Sequence, residues 1–183
     1  MPQQTVYIKF FGGVDEASAK AVMTTVEQKL GEGADRFVLL ISSPGGNVFA
    51  GITLYNFLKG IPAELVTHNI GSTNSIAAAV FCAGRRRLSV PHGVFLIHGP
   101  RANFPQGASL EPDLLAERLN SLRIDAENLA GIIAANTKRS EAQVMQDMLE
   151  RTSLNPEQAL AYGLVHEIRE EIFPTGADLI SIP

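Results

Sequence analysis

Short β-rich runs alternate with helical patterns along the first half of the chain. The strand-like runs stand at 6–10, 36–42 and 64–70, and the helical patterns at 16–30, 48–59 and 75–83. Strands separated by helix-length segments run parallel in one sheet, so this order predicts an α/β fold of repeated βαβ units. Two further runs, RRLSV and GVFLIHG, flank the turn Pro91-His92-Gly93 and predict a short extra pair of strands.

The region from 110 to 136 changes character and predicts one long helix. Its apolar residues alternate in steps of four and three, which is typical of a narrow seam on one helix face: Leu115, Leu119, Leu122, Ala126, Leu129 and Ile133. Such a helix is about 40 Å long, so part of it should project beyond the core. We expect a protein partner, most simply a second copy, to cover the exposed seam. The alternative is a helix that packs along its own domain throughout.

The 183 residues indicate a single domain with one core. We expect a head formed by about 1–109 and 138–173, an oligomerisation helix at about 110–136, and an irregular tail at 174–183. Capping patterns at Ser140 and Asn155 predict two shorter helices, and the run after Gly163 predicts a final strand.

Charge and cysteine content exclude several classes of function. The net charge of −4 argues against a nucleic-acid partner, and the run Arg85-Arg86-Arg87 is interpreted as a solvated strand or turn. The lone Cys82 forms no disulfide framework and fits a buried, inert thiol in a reducing compartment. No apolar stretch is long enough to span a bilayer, so we expect a cytoplasmic protein without membrane contact, metal or cofactor.

The segment ISSPGGNVFAG, at 41–51, predicts a strand, a glycine turn and a helix start. Gly45 and Gly46 permit backbone angles that side chains would block, and the helix start leaves amide N–H groups free. The spacing matches neither common nucleotide-binding glycine pattern, so a phosphate ligand is not expected. A plain tight turn is the alternative interpretation.

Ser75 opens the next helix, and a serine there is most often an N-cap. A nucleophilic role is the other hypothesis, because a helix N-terminus favours negative charge but a hydroxyl still needs a base. Among the four histidines, His98 ends a strand just before Gly99-Pro100, where catalytic groups of open α/β sheets tend to lie. His68, His92 and His166 fit structural or solvated roles.

These motifs, taken in order, resemble the proteolytic subunit of Clp protease and its phage-type relatives. The resemblance rests on SSPGG before a helix, G-x-x-x-S-x-A-A leading to A-G, L-I-H-x-P, a long helix and a final A-x-x-Y-G-L-V. It runs from about residue 6 to residue 168 and implies a ClpP/crotonase-like fold whose long helix is the handle joining two stacked rings.

The resemblance also implies a serine endopeptidase that cleaves peptides or unfolded protein. Ser75 matches the nucleophile and His98 the general base. The amides of Gly45 and Ile76 match the oxyanion hole, with Gly46 supporting that turn.

Three departures from the family pattern follow. Arg151 stands where the family has the aspartate of its triad, and an arginine cannot accept a hydrogen bond. Asp147, Glu150 or Thr152 could substitute, and otherwise a dyad of Ser75 and His98 remains. Met1–Thr5 alone precede the first strand, so we do not expect coupling to an ATPase unfoldase. Ile76-Ala77 replaces the common Met-Gly, which should alter fit more than mechanism.

Two competing functions stay open. A crotonase-like enzyme acting on acyl-CoA also uses backbone amides, but it does not need a Ser75–His98 pair. A catalytically weakened or inactive ring subunit would keep the scaffold while Arg151 replaces a required acid.

Overall fold

A computed structural model describes residues 4–104, 106, 107, 109 and 111–182. In chain order the elements are β1 (Thr5–Phe11), α1 (Glu16–Gly31), β2 (Arg36–Ser43), α2 (Val48–Gly60), β3 (Glu64–Asn74), α3 (Ile76–Phe81), β4 (Arg86–Ser89), β5 (Val94–Ile97), α4 (Pro112–Ala135), α5 (Glu141–Glu150), β6 (Thr152–Leu154), α6 (Pro156–Tyr162), β7 (Glu167–Ile168) and β8 (Asp178–Ile182). The predicted strand and helix order of the first half is confirmed.

The described strands form one mixed sheet in the order β6-β5-β3-β2-β1-β8, and β4 and β7 extend it from β3. All pairs are parallel except β5 with β6. The central strand β2 is buried along most of its length, as expected for a parallel strand covered on both faces. The larger core lies between the sheet and the helices, and a smaller apolar cluster covers the other face around Val38 and Leu88.

Both extra strands predicted around the turn at 91–93 are present as β4 and β5, but they do not pair with each other. β3 is longer than predicted, and β4 pairs with its first part while β5 pairs with its last three residues. Asn69 joins the two halves, because its carbonyl accepts from the Val90 amide and its side-chain amide donates to the Val94 carbonyl at 3.1 Å. β4 and β5 therefore lie one after the other along the same side of β3, and the end of β5 lies beside the end of β3.

The tail is not irregular as expected. Asp178–Ile182 form β8, which pairs in parallel with β1 and buries Ile182. Without a neighbour, the edge of β1 would expose unpaired backbone N–H and C=O groups. The short segment of β8, which contains apolar residues, pairs with these groups.

The prediction that the arginine run is solvated is wrong for Arg87. It is 5 % exposed, while Arg85 and Arg86 stay exposed. Its guanidinium donates to carbonyls just beyond the ends of three helices, namely those of Gly84, Asn136, Gly163 and Leu164. The C-terminal ends of helices carry unsatisfied carbonyls and partial negative charge, so one buried cation stabilises three of them.

Helix α4 projects as predicted over its first half. Residues 111–121 are all exposed, and only Leu129, Ala130 and Ile133 are fully buried among its residues. Leu115 and Leu119 are about half exposed, at 46 % and 50 %. The alternative of a helix packed along its own domain throughout is therefore wrong.

Candidate active site

The sheet brings Ser75 and His98 to the same edge. Asn74 and Leu96 are paired in the register of β3 and β5, and the Ser75 amide donates to the Leu96 carbonyl at 2.8 Å. Ser75 follows the last residue of β3, and His98 follows the last residue of β5. Both line one cavity of about 730 Å³. The carboxyl ends of adjacent parallel strands thus place the two predicted residues together.

Ser75 is not the N-cap that its position suggests. It stands at the N-cap position of α3, but its side chain makes no capping hydrogen bond. Its φ of 57° and ψ of −130° lie outside the regions that residues with a side chain prefer. Such backbone conformations cost about 1–3 kcal/mol and are concentrated at functional sites. The strained turn leaves the hydroxyl free to face the cavity.

Gly45 packs directly against this turn. A Cβ atom at Gly45 would lie 2.7 Å from the Asn74 carbonyl oxygen and 2.8 Å from the Ser75 Cβ. Its φ of 90° also disfavours any residue with a side chain. The glycine is therefore required by the close approach of the two loops.

The amide of Gly45 already has a partner, since it donates to the buried Ser43 hydroxyl at 3.1 Å. Gly46 forms a parallel bridge with Val14, in which Val14 bonds to the residues on either side of it. The N–H of Gly46 consequently points away from Val14, and Gly46 lines the cavity. This geometry favours the Gly46 amide as the candidate oxyanion donor, whereas the resemblance assigned that part to Gly45.

Ile76 supplies the second candidate donor. It is the first residue of α3, so its amide has no acceptor within the helix. The N-terminal end of the helix also carries partial positive charge.

His98 is held in one tautomer by its own loop. Its Nδ1 lies 2.7 Å from the Gly99 carbonyl oxygen, and a carbonyl can only accept a hydrogen bond. Nδ1 therefore carries the proton and Nε2 keeps the lone pair that a general base needs. Sequence reasoning missed Gly99, because a main-chain carbonyl leaves no signal in the residue type.

Burial lowers the pKa of His98 below its ordinary value. The positive charges of Arg151 and Arg101 lower this pKa further, against the opposing effect of the bond to Gly99. The imidazole therefore stays neutral, and able to accept a proton, at a lower pH than a free histidine.

Within the described residues, no carboxylate orients His98. Asp147 accepts a hydrogen bond from the Tyr162 hydroxyl at 2.6 Å, and Glu150 accepts from the Gln146 side chain at 2.7 Å on the surface. Thr152 begins β6 and is paired with Ile97 in the sheet. Arg151 ends α5 in a left-handed conformation, close enough for its charge to act on His98.

The other histidines lie elsewhere. His68 is buried with its Nε2 3.3 Å from the Arg169 carbonyl, His166 contacts the Arg87 guanidinium, and His92 is exposed in a turn. None of them lines the cavity beside Ser75.

One face of α4 forms a further wall of the cavity, which the sequence did not indicate. Its residues there are Arg118, Ser121, Leu122 and Asp125, spaced three and four apart on one helix face. Leu122 thus leaves the expected seam and faces the site.

Over the described ranges, no group of histidine, cysteine, aspartate or glutamate side chains has the arrangement of a metal site. In the same part of the chain, no helix combines the length and apolar character that crossing a membrane requires.

The sequence of the chain matches one family of known proteins. The family model described as Clp protease matches residues 3–171. The chain is 28% identical to ATP-dependent Clp protease proteolytic subunit 3 of Rhodococcus jostii (strain RHA1), over 91% of this chain and 81% of that protein. It is 32% identical to ATP-dependent Clp protease proteolytic subunit 1 of Tropheryma whipplei (strain Twist), over 85% and 75% of the two chains. With its mixed α/β sheet and projecting helix, this chain belongs to the Clp protease family.

Proposed function

We propose that this protein is a serine-type endopeptidase that cleaves peptides or unfolded protein with a Ser75–His98 dyad. The observation that carries the proposal is the uncapped Ser75 hydroxyl sharing one cavity with a histidine whose Nδ1 bonds to a carbonyl, an arrangement that leaves Nε2 as the proton acceptor. A hydroxyl at its ordinary pKa needs such a base, and the two parts have no evident structural task in this arrangement.

The reaction begins when Ser75 Oγ attacks the peptide carbonyl carbon and His98 Nε2 takes the hydroxyl proton. The amides of Gly46 and Ile76 stabilise the oxyanion, each contributing about 3 kcal/mol to lowering the barrier. The protonated His98 then gives its proton to the leaving amine, and an ester remains on Ser75. Water, deprotonated by His98, attacks this ester, and the imidazolium returns the proton to Ser75 Oγ as the acid product leaves.

The Gly99 carbonyl takes over part of the work of the missing carboxylate. It keeps the proton on Nδ1 and therefore preserves the productive tautomer of His98. A neutral carbonyl stabilises the imidazolium less than a carboxylate does, and Arg151 opposes that cation. We therefore expect a slower enzyme than one with a full triad, with the same order of chemical steps.

Assembly into a ring belongs to this proposal. The half-exposed Leu115 and Leu119 lie on the projecting part of α4, and burying them against a second copy removes apolar surface from water. The expectations of a cytoplasmic protein without ATPase coupling stay predictions, although the relatives are named ATP-dependent.

The test is covalent labelling by a fluorophosphonate at neutral pH. Wild type should label, while Ser75→Ala and His98→Ala should not, and His92→Ala should behave as wild type because this residue is exposed outside the cavity. Silence from wild type would favour the inactive ring subunit. Retention on immobilised acyl-CoA without labelling would favour the acyl-CoA enzyme.

A further inference from the structure

The cavity beside Ser75 carries more positive than negative charge, although the whole chain has a net charge of −4. Two arginines from different parts of the chain line it. Arg101 lies in the segment after His98, and Arg118 lies in α4. Asp125 is the single carboxylate among the described lining residues, and it is partly buried.

Among the described residues, neither arginine forms an ion pair with a carboxylate. The ion pairs among the described residues involve other cations, at Lys29, Arg36, Arg86 and Arg169. An unpaired guanidinium at a cavity wall offers a planar fork of donors that matches a carboxylate.

Positive charge also acts on the reacting centre. Burial lowers the pKa of His98, and the charges of Arg151 and Arg101 lower it further. A substrate with negative charge near the cleaved bond would meet an attractive field there, whereas a basic substrate would be repelled.

We infer that the site selects peptides carrying a carboxylate close to the cleaved bond, bound by Arg101 and Arg118. This inference rests on the proposed peptidase function and names its substrate class. The carboxylate comes either from an aspartate or glutamate side chain or from the free C-terminus of the peptide.

The test uses quenched fluorescent peptides of one length that differ only around the cleavage region, with Glu, Gln or Lys at the same three positions and amidated C-termini. We expect kcat/KM for the Glu peptide to exceed that for the Lys peptide by about tenfold at low salt, and the ratio to fall as salt screens the charges. A fourth peptide, the Gln sequence with a free C-terminus, distinguishes the two sources. Faster cleavage of this peptide than of its amide assigns the chain end.

Arg101→Gln and Arg118→Gln should each reduce the Glu-to-Gln ratio of kcat/KM by about threefold, as expected for a partly solvated ion pair. The matched control is Arg123→Gln, an exposed arginine of α4 outside the cavity, which should leave the ratio unchanged. Size-exclusion chromatography of the three variants confirms equal assembly.

Equal rates for all four peptides, or a preference for Lys, would overturn the inference while Ser75 labelling still supports the peptidase. A preference for Glu that survives in the Arg101/Arg118 double variant would overturn it as well. The Ser75→Ala protein provides a readout without catalysis, by fluorescence anisotropy of peptides with the same sequences that carry the fluorophore but no quencher. Equal affinities there would also refute the inference, whatever the enzyme activity.

Discussion

Gly45→Ala tests whether the glycine turn positions the nucleophile. The new Cβ would lie 2.7 Å from the Asn74 carbonyl oxygen and 2.8 Å from the Ser75 Cβ. Ordinary contacts begin near 3.4 Å, and neither neighbour is the free end of a flexible side chain. The Ser75 turn must therefore shift by several tenths of an ångström.

Two magnitudes follow. Alanine at a φ of 90° costs about 1–3 kcal/mol, which lowers Tm by about 3–10 °C in a domain of this size. Displacement of a nucleophile by up to 1 Å costs about 100-fold in rate, so the activity should fall far more than the stability.

The assays are the rate of fluorophosphonate labelling and thermal unfolding. Gly60→Ala is the matched control, because Gly60 ends α2, has no positive φ and would place its Cβ in open space. It lies about 18 Å along the helix from the cavity, at 1.5 Å per residue. If Gly45→Ala labels at the wild-type rate with an unchanged Tm, the two loops do not pack as described and the argument fails.

Three further predictions concern charge and assembly. Arg151→Asp should raise the pKa of His98, because an anion replaces a cation that lowers it; the acid limb of the kcat/KM profile should then move to higher pH, and an unmoved limb would contradict the electrostatic argument. Arg87→Met should lower the free energy of unfolding by about 3–5 kcal/mol in urea titrations, since three buried carbonyls and one partly buried carbonyl lose their donor. Arg86→Met, at an exposed ion pair, should cost less than about 1 kcal/mol, and equal losses would argue against the capping role. Leu119→Glu should shift size-exclusion elution to smaller species, and unchanged elution would remove α4 from the interface.

Local patterns account for much of what the sequence predicted correctly. The capping boxes that begin α5 and α6 are present with both reciprocal hydrogen bonds, and Gly163 ends α6 with a φ of 84°. These features depend on residues three or four apart, so propensity and hydrogen bonding between near neighbours suffice.

Features that depend on distant segments were missed or misinterpreted. β8 has an ordinary composition and became a strand because β1 left an open edge 172 residues earlier in the chain. Arg87 belongs to a basic run that is typical of a solvated surface, yet three helix ends converge on it.

The candidate site divides in the same way. The motifs around Ser75 and His98, together with the glycine pair, pointed to a nucleophile, a base and backbone donors before any coordinates. The choice of Gly46 over Gly45 needed the bridge to Val14, and the role of the Gly99 carbonyl needed the rotamer of His98.

The sequence by itself therefore determined the order of strands and helices in the first half of the chain, the family, and which side chains are able to do chemistry. Only the tertiary structure decided that β3 pairs with two successive strands, which sets Ser75 beside the end of β5, and that Arg101 and Arg118 line the same cavity. The physical reason is that residue type fixes local conformation and reactivity. The electrostatic field, the hydrogen-bond donors and the packing partners around a side chain come from segments far away in the chain. Only folding brings these segments together.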